Sequence, residues 1–169
     1  MESIAKSIEL QIMMKLKNAD GISHLIAHGI FPQTGYMWLA LEKLGPNLKH
    51  LLKRNHKNRF STKTTIQIGI QLIDRLKLIH KKGILHLDLK PQNILIGSGD
   101  LKSEESSKVY LIDFGVSVRY LGDDGEHLRP RKNVPFGGNM LFASPNAFRR
   151  LCKLAPLMIL IIYCRVKPT

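Results

Sequence analysis

Cysteine is nearly absent: Cys152 and Cys164 are the only two, both within the last 18 residues. No disulfide framework can hold the body of the chain together, and this usage suits a reducing compartment. Carboxylates are scarce as well. Thirteen Asp and Glu stand against 26 Lys and Arg, a formal net charge of +13. Such a surface attracts anions: phosphate groups, acidic peptides, nucleic acid or anionic lipid. Aromatic residues, 7% of the total, do not interleave with the lysines as base-stacking platforms require, and no nucleic-acid recognition motif is found. Specific nucleic-acid binding is therefore not expected. Long apolar runs are missing too. The longest, residues 154–164, has 11 residues including Pro156, whereas a bilayer span needs roughly 20. Met1-Glu2-Ser3-Ile4-Ala5-Lys6 has no apolar core to serve as a signal peptide. These absences predict an intracellular protein of cytoplasm or nucleus, neither exported nor inserted in a membrane.

With 44% hydrophobic and 23% charged residues in 169, the composition is that of one globular domain with a real core. Ile4, Ile8, Ile12 and Leu16 recur every fourth residue, predicting an amphipathic helix of about four turns that stops near Asp20-Gly21. Apolar runs at 24–31 and 36–41, separated by Pro32-Gln33-Thr34-Gly35, predict two strands joined by a turn. A short helix rich in Lys and His follows Gly45-Pro46. Ser61 and Thr62 can cap a second long helix, with Ile66, Ile70, Ile73, Leu76 and Ile79 along one face and Gly83 closing it. Residues 84–96 read as strand on both sides of a polar insert. A polar hairpin at 97–108 leads to a further apolar run at 109–112, and the chain is mostly loop from 122 to 145. From residue 127 to 169 there are eight Lys and Arg and no acid.

The strongest chemical signal is His86-x-Asp88-Leu89-Lys90-x-x-Asn93, followed 20 residues later by Asp113-Phe114-Gly115. Phosphoryl transfer from ATP explains each residue type. An attacking hydroxyl must be oriented and lose a proton, so a carboxylate must sit beside it, and Asp88 is the candidate. Lys90, two residues on, can reach the γ-phosphate and offset its growing charge. Asn93 and Asp113 offer hard oxygen donors of the kind Mg²⁺ takes, with waters filling its remaining positions. Gly115 allows a sharp turn while Phe114 packs inward. Either half alone is a common loop pattern. Both together, in this order and each after a strand, make a strong signal.

These two segments resemble the catalytic and metal-binding loops of the protein kinases. Glu42-x-Leu44-Gly45-Pro46-Asn47-Leu48 and Val109-Tyr110-Leu111-Ile112-Asp113-Phe114-Gly115 resemble the hinge and metal loop of the casein kinase I group. Ala143-Ser144-Pro145-Asn146-Ala147 resembles that group's ending of the activation segment, and Arg129-Pro130-Arg131-Lys132-Asn133 is similar to the related tau-tubulin kinases. The resemblance covers about residues 3–148. It implies an α+β fold: a partial kinase domain, mostly the helical C-lobe plus helix αC and the last strands of the N-lobe, with residues 149–169 a divergent tail. It also implies a Ser/Thr protein kinase using ATP and Mg²⁺ on protein substrates acidic or phosphorylated near the target hydroxyl, acting as a monomer. Glu9 then matches the glutamate of helix αC that pairs with a strand lysine. Leu41 is the gatekeeper, the backbones of Glu42 and Leu44 bind adenine, and Leu95 and Ile112 floor its pocket. Arg129, Arg131 and Lys132 are candidates for the substrate-acid patch, though solvated surface charge accounts for them equally well.

The chain departs from the family in four places. No Gly-rich loop or strand lysine precedes Glu9, which is left without a partner, and Gly97-Ser98-Gly99 lies in the wrong place to supply the loop. Leu87 replaces an arginine that usually anchors a phosphorylated activation loop, so control by loop phosphorylation is not expected. Asn139 and Leu141 stand where the family has threonine and arginine. After Phe148 the pattern is lost, and the apolar tail reads as a shifted frame, a retained intron or a mis-joined gene segment, or else as a helix replacing the family's buried one. The alternative to a kinase is a catalytically silent, kinase-like module that binds an acidic protein partner.

Overall fold

A computed structural model describes residues 7–99, 103–122, 124–128 and 138. The expectations placed on Ile4, Arg129, Arg131, Lys132, Asn139, Leu141, the 143–147 motif and the tail lie outside these residues.

Helix α1 spans Ile8–Lys15, and the Ser7 hydroxyl accepts from the Leu10 N–H at its N-terminus. It is shorter than the four turns expected. Leu16 leaves helical geometry, and Asn18 enters the left-handed region at φ 61°. The buried face is Leu10, Ile12, Met13 and Leu16, while Ile8 is 53% exposed, so of the described members of the every-fourth-residue stripe Ile12 and Leu16 face inward and Ile8 does not.

Strands β1 (Leu25–Ile30) and β2 (Met37–Leu41) form the expected antiparallel hairpin. Its turn is closed by Phe31 N–H to the Tyr36 carbonyl at 2.8 Å. Helix α2 (Leu48–Arg54) begins at Asn47, whose side-chain oxygen accepts from the His50 N–H.

Helix α3 (Thr62–Lys81) is capped by the Ser61 hydroxyl and ends at Gly83, φ +72°. Here the expected face requires correction. Ile68, Leu72, Leu76 and Ile79 are buried, whereas Ile66, Ile70 and Ile73 are about half exposed, at 57%, 57% and 48%. The helix carries two neighbouring apolar stripes, and the one at 68, 72, 76 and 79 joins the core.

The remaining strands are short. β3 (Ile84–Leu85) pairs antiparallel with β6 (Val118–Arg119), and β4 (Ile94–Ile96) pairs with β5 (Val109–Leu111). Beyond β6 the chain turns back, with Leu121 bridging His127 and the Leu128 N–H donating to the Tyr120 carbonyl at 2.9 Å. Thus the described residues are helices with three small antiparallel sheets, an α+β arrangement. The core joins α1, α3 and the β4–β5 ribbon through Ile12, Leu72, Ile79, Leu111 and Phe114. Alternation along the ribbon turns Ile94, Val109 and Leu111 into that core. Leu95 and Tyr110, which pair directly, face the other way, with Ile112 next in step. No helix among the described residues is long and apolar enough to cross a membrane.

Candidate active site

The polar insert between β3 and β4 is held from beneath by His86, which is fully buried. Its Nδ1 accepts from the Asp88 N–H at 3.2 Å, and its Nε2 lies 3.0 Å from the Ile112 carbonyl. Only the neutral ring protonated at Nε2 satisfies both contacts. Burial pushes the His86 pKa down and favours that form. The ring packs on Phe114 with centroids 5.0 Å apart, and the His86 carbonyl accepts from the Ser117 hydroxyl at 3.0 Å. One histidine thus ties the insert to the chain on both sides of Asp113. The sequence flagged His86 only as part of a motif.

Two backbone kinks shape the site. Leu87 has φ 66° and Asp113 has φ 67°. A non-glycine residue in the left-handed region costs on the order of 1 kcal/mol or more, and such strain gathers at working sites. Gly138 lies against the first kink: a Cβ there would come within 2.1 Å of the Leu87 carbonyl.

Asp88 is 7% exposed. Lys90 Nζ forms an ion pair with its Oδ2, and Asn93 Nδ2 donates to the same oxygen at 3.0 Å and to the Asp88 carbonyl at 3.0 Å. Both partners converge on Oδ2, which fixes the carboxylate, and among the described residues Oδ1 has no hydrogen-bond partner. The structure brings Asp88, Lys90 and Asn93 into direct contact. Asp113 joins them through the backbone, because the Ile112 N–H donates to the Asn93 carbonyl at 3.0 Å. Its Oδ1 accepts from the Gly115 N–H at 3.4 Å.

A divalent cation can be tested against these donors. Asn93 spends its amide nitrogen on Asp88, so the amide oxygen is what it can offer, and Asp113 adds an exposed carboxylate. Among the described residues no cluster of three or more His, Cys, Asp or Glu exists. Two hard oxygen donors fit Mg²⁺, which is held by one or two protein groups together with phosphates and water.

Glu9 approaches from α1. A Cβ on Gly115 would lie 3.8 Å from Glu9 Oε2. Burial pushes the Glu9 carboxyl up, and the Asp113 charge adds to the effect. Among the described residues no cation pairs with it.

Strand β2 delivers Leu41 into the segment 42–47. The Glu42 N–H donates to the His24 carbonyl at 2.9 Å, and its side chain accepts from the His24 N–H at 2.6 Å. Gly45 N–H donates to the Ile96 carbonyl at 2.9 Å, and a Cβ at Gly45 would meet the Gly97 carbonyl at 2.5 Å. Only glycine lets this segment cross so close to β4. Gly45, Pro46 and Asn47 therefore run beside the strand whose outward face carries Leu95, with Ile112 in the next step of the ribbon.

A single polar loop buttressed by a neutral histidine, a carboxylate fixed through one oxygen, and a second carboxylate on a strained turn form one site. The sequence profile of the protein kinase domain matches residues 2–145. This chain belongs to the protein kinase domain family. It is 33% identical over 141 residues to a protein of Encephalitozoon cuniculi (strain GB-M1) named a probable casein kinase I homolog, covering 83% of this chain and 41% of the relative. It is 32% identical over 140 residues to a probable serine/threonine-protein kinase of Dictyostelium discoideum, covering 83% of this chain and 27% of that protein. The kinase-domain sequence thus spans less than half the length of either relative.

Proposed function

We propose that this chain is the central part of a Ser/Thr protein kinase of the casein kinase I type, transferring the γ-phosphate of ATP to a protein hydroxyl. The observation that carries the reading is the Asp88 carboxylate, pinned at Oδ2 by Lys90 and Asn93, with no partner for Oδ1 among the described residues. Asp88 accepts the proton of the attacking Ser or Thr. Lys90, already beside it, faces the charge that gathers on the transferred phosphoryl oxygens. Mg²⁺ held by Asn93 and Asp113 would bridge the phosphates and neutralise them. Leu41, the Glu42 and Leu44 backbones, Leu95 and Ile112 receive adenine, and Glu9 takes the part of the αC glutamate that pairs with a strand lysine. A name shared with casein kinase I in one relative, and the +13 charge, support substrates acidic or phosphorylated near the target. We take residues 1–148 to supply the lower-lobe elements, helix αC and the last upper-lobe strands of an intracellular, monomeric kinase, followed here by the tail 149–169.

Glu9 beside Asp113, with no cation paired to it among the described residues, favours a second reading, a silent module that holds an acidic partner. One experiment separates the two. Phosphoryl transfer to an acidic, pre-phosphorylated Ser peptide is measured for wild type and Asp88→Asn with Mg²⁺ and ATP. A kinase loses transfer in the variant, and peptide binding without transfer in either protein supports the silent module.

A further inference from the structure

We infer that Arg75 is a positioning residue that sets the spacing between α1, which carries Glu9, and β5, which leads into Asp113. Its effect on turnover rests on the kinase reading above; its effect on placement does not.

Arg75 sits on the inner side of α3, its side chain only 11% exposed. Two arms leave the guanidinium. Nη1 lies 2.7 Å from Asp20 Oδ2, in the loop that follows α1, and Nε donates to the Val109 carbonyl at 3.3 Å, on β5. The stem and fork run across Gly21, which has φ +70°, and a Cβ there would fall 1.7 Å from Arg75 Nε. The loop and the strand also meet directly. The Gly21 carbonyl accepts from the Leu111 N–H at 2.8 Å, and Ile22 bridges Leu111 in parallel. Arg75 thus closes a seam whose other stitches are backbone.

The neighbouring turn of α3 isolates what is particular to Arg75. Gln71 also grips β5: its side-chain oxygen accepts from the Val109 N–H at 2.9 Å and its nitrogen donates to the Ser107 carbonyl at 3.0 Å. Gln71 fastens the strand to the helix, while Arg75 adds the loop after α1. A planar fork can hold two acceptors at fixed spacing, and an ammonium on a flexible stem cannot. Because Asp20 is 68% exposed, its ion pair is screened, so the Val109 contact and the fit over Gly21 dominate. Loosening the seam would let α1 slide relative to β5, and the approach of Glu9 to the Asp113 turn would change with it.

Residue-resolved amide hydrogen exchange on the full chain tests this. In Arg75→Lys, exchange at Leu111 and Ile22 should rise about tenfold or more, while Leu72 and Leu76 in α3 stay within about twofold. In Gln71→Met the Val109 amide should open and Leu111 should stay protected. Unchanged Leu111 protection in Arg75→Lys, or a rise shared equally by α3, overturns the inference. Should Arg75→Lys not fold, Asp20→Asn keeps the Val109 contact and should give a rise of about two- to fivefold confined to Leu111 and Ile22; no local rise there overturns it as well. Where wild type transfers phosphate, Arg75→Lys should lower kcat about tenfold with peptide KM within about twofold. Wild type without transfer would count against the kinase reading alone, since the exchange data still decide the placement.

Discussion

One nitrogen of Asn93 donates to two oxygens of Asp88, the backbone carbonyl and side-chain Oδ2, each at 3.0 Å. The residue expected to hold a metal therefore also fixes the shape of the loop that presents Asp88, the proposed base. Removing it should damage fold and chemistry together. Asn93→Ala strips partners from a buried carbonyl and carboxylate, which costs about 1–3 kcal/mol. Asp88→Asn keeps size and shape, so its loss should be mainly chemical: about 10² or more in phosphoryl transfer, with stability changed by about 1 kcal/mol or less. Urea denaturation beside a transfer assay checks the split. Equal damage to stability in the two variants would refute this division.

His86 makes stability depend on pH. Burial lowers its folded pKa below the ordinary 6.5, so between those two values the unfolded chain binds more protons than the folded one. The stability it contributes is present above pH 6.5 and is lost as pH falls from there toward the folded pKa, at up to about 1.4 kcal/mol per pH unit. His80, also lowered by burial, adds a second contribution. His86→Asn should therefore be less stable at pH 7.5 but show a shallower fall in melting temperature between pH 6.5 and 5.5. An unchanged slope would mean that the ring is not held neutral.

Much of this was legible in the sequence, and the exceptions have physical causes. The loop residues Asp88, Lys90, Asn93 and Asp113 stand out because their chemistry demands those types at close spacing, and the fold brings them together. Strand and turn positions follow from Pro32 to Gly35 and from Gly83. Leu87 at positive φ could not be foreseen, since leucine carries no preference for that region and the strain is imposed by what surrounds it. The dual bond of Asn93, the neutral tautomer of His86 and the reach of Arg75 to Asp20, 55 residues away, are tertiary facts with no local signature.

Glu9 offers a test with the opposite sign to His86. Its carboxyl is pushed up, first by burial and then by the Asp113 charge. The favourable contribution of the protonated form is fully present below the unfolded value near 4.5 and is lost as pH rises through the folded pKa. At neutral pH the charged group is a burden on this chain. Glu9→Gln should raise stability at pH 7 by roughly 0.5 kcal/mol or less, since solvent screens a half-buried carboxyl, and should change little at pH 4. Thermal melts at the two pH values decide it, and a variant less stable at pH 7 would contradict the repulsion.

Helix α3 carries two apolar stripes, and hydropathy alone cannot say which one faces inward. Joining Ile66, Ile70 and Ile73 to Leu76 and Ile79 crosses from one stripe to the other, because successive steps of three drift around the helix. Burial separates them: Leu72 has no exposed surface, while Ile70 is 57% exposed. Leu72 also lies in the cluster with Leu111 and Phe114, so a void there reaches the strand and turn that place Asp113. Leu72→Ala should cost about 2–5 kcal/mol, whereas Ile70→Ala should stay within about 0.5 kcal/mol. Urea midpoints of the two variants measured side by side check the assignment. A large loss from Ile70→Ala in this chain would mean that the outer stripe is covered, and a small one from Leu72→Ala would mean that the helix is rotated from the position described.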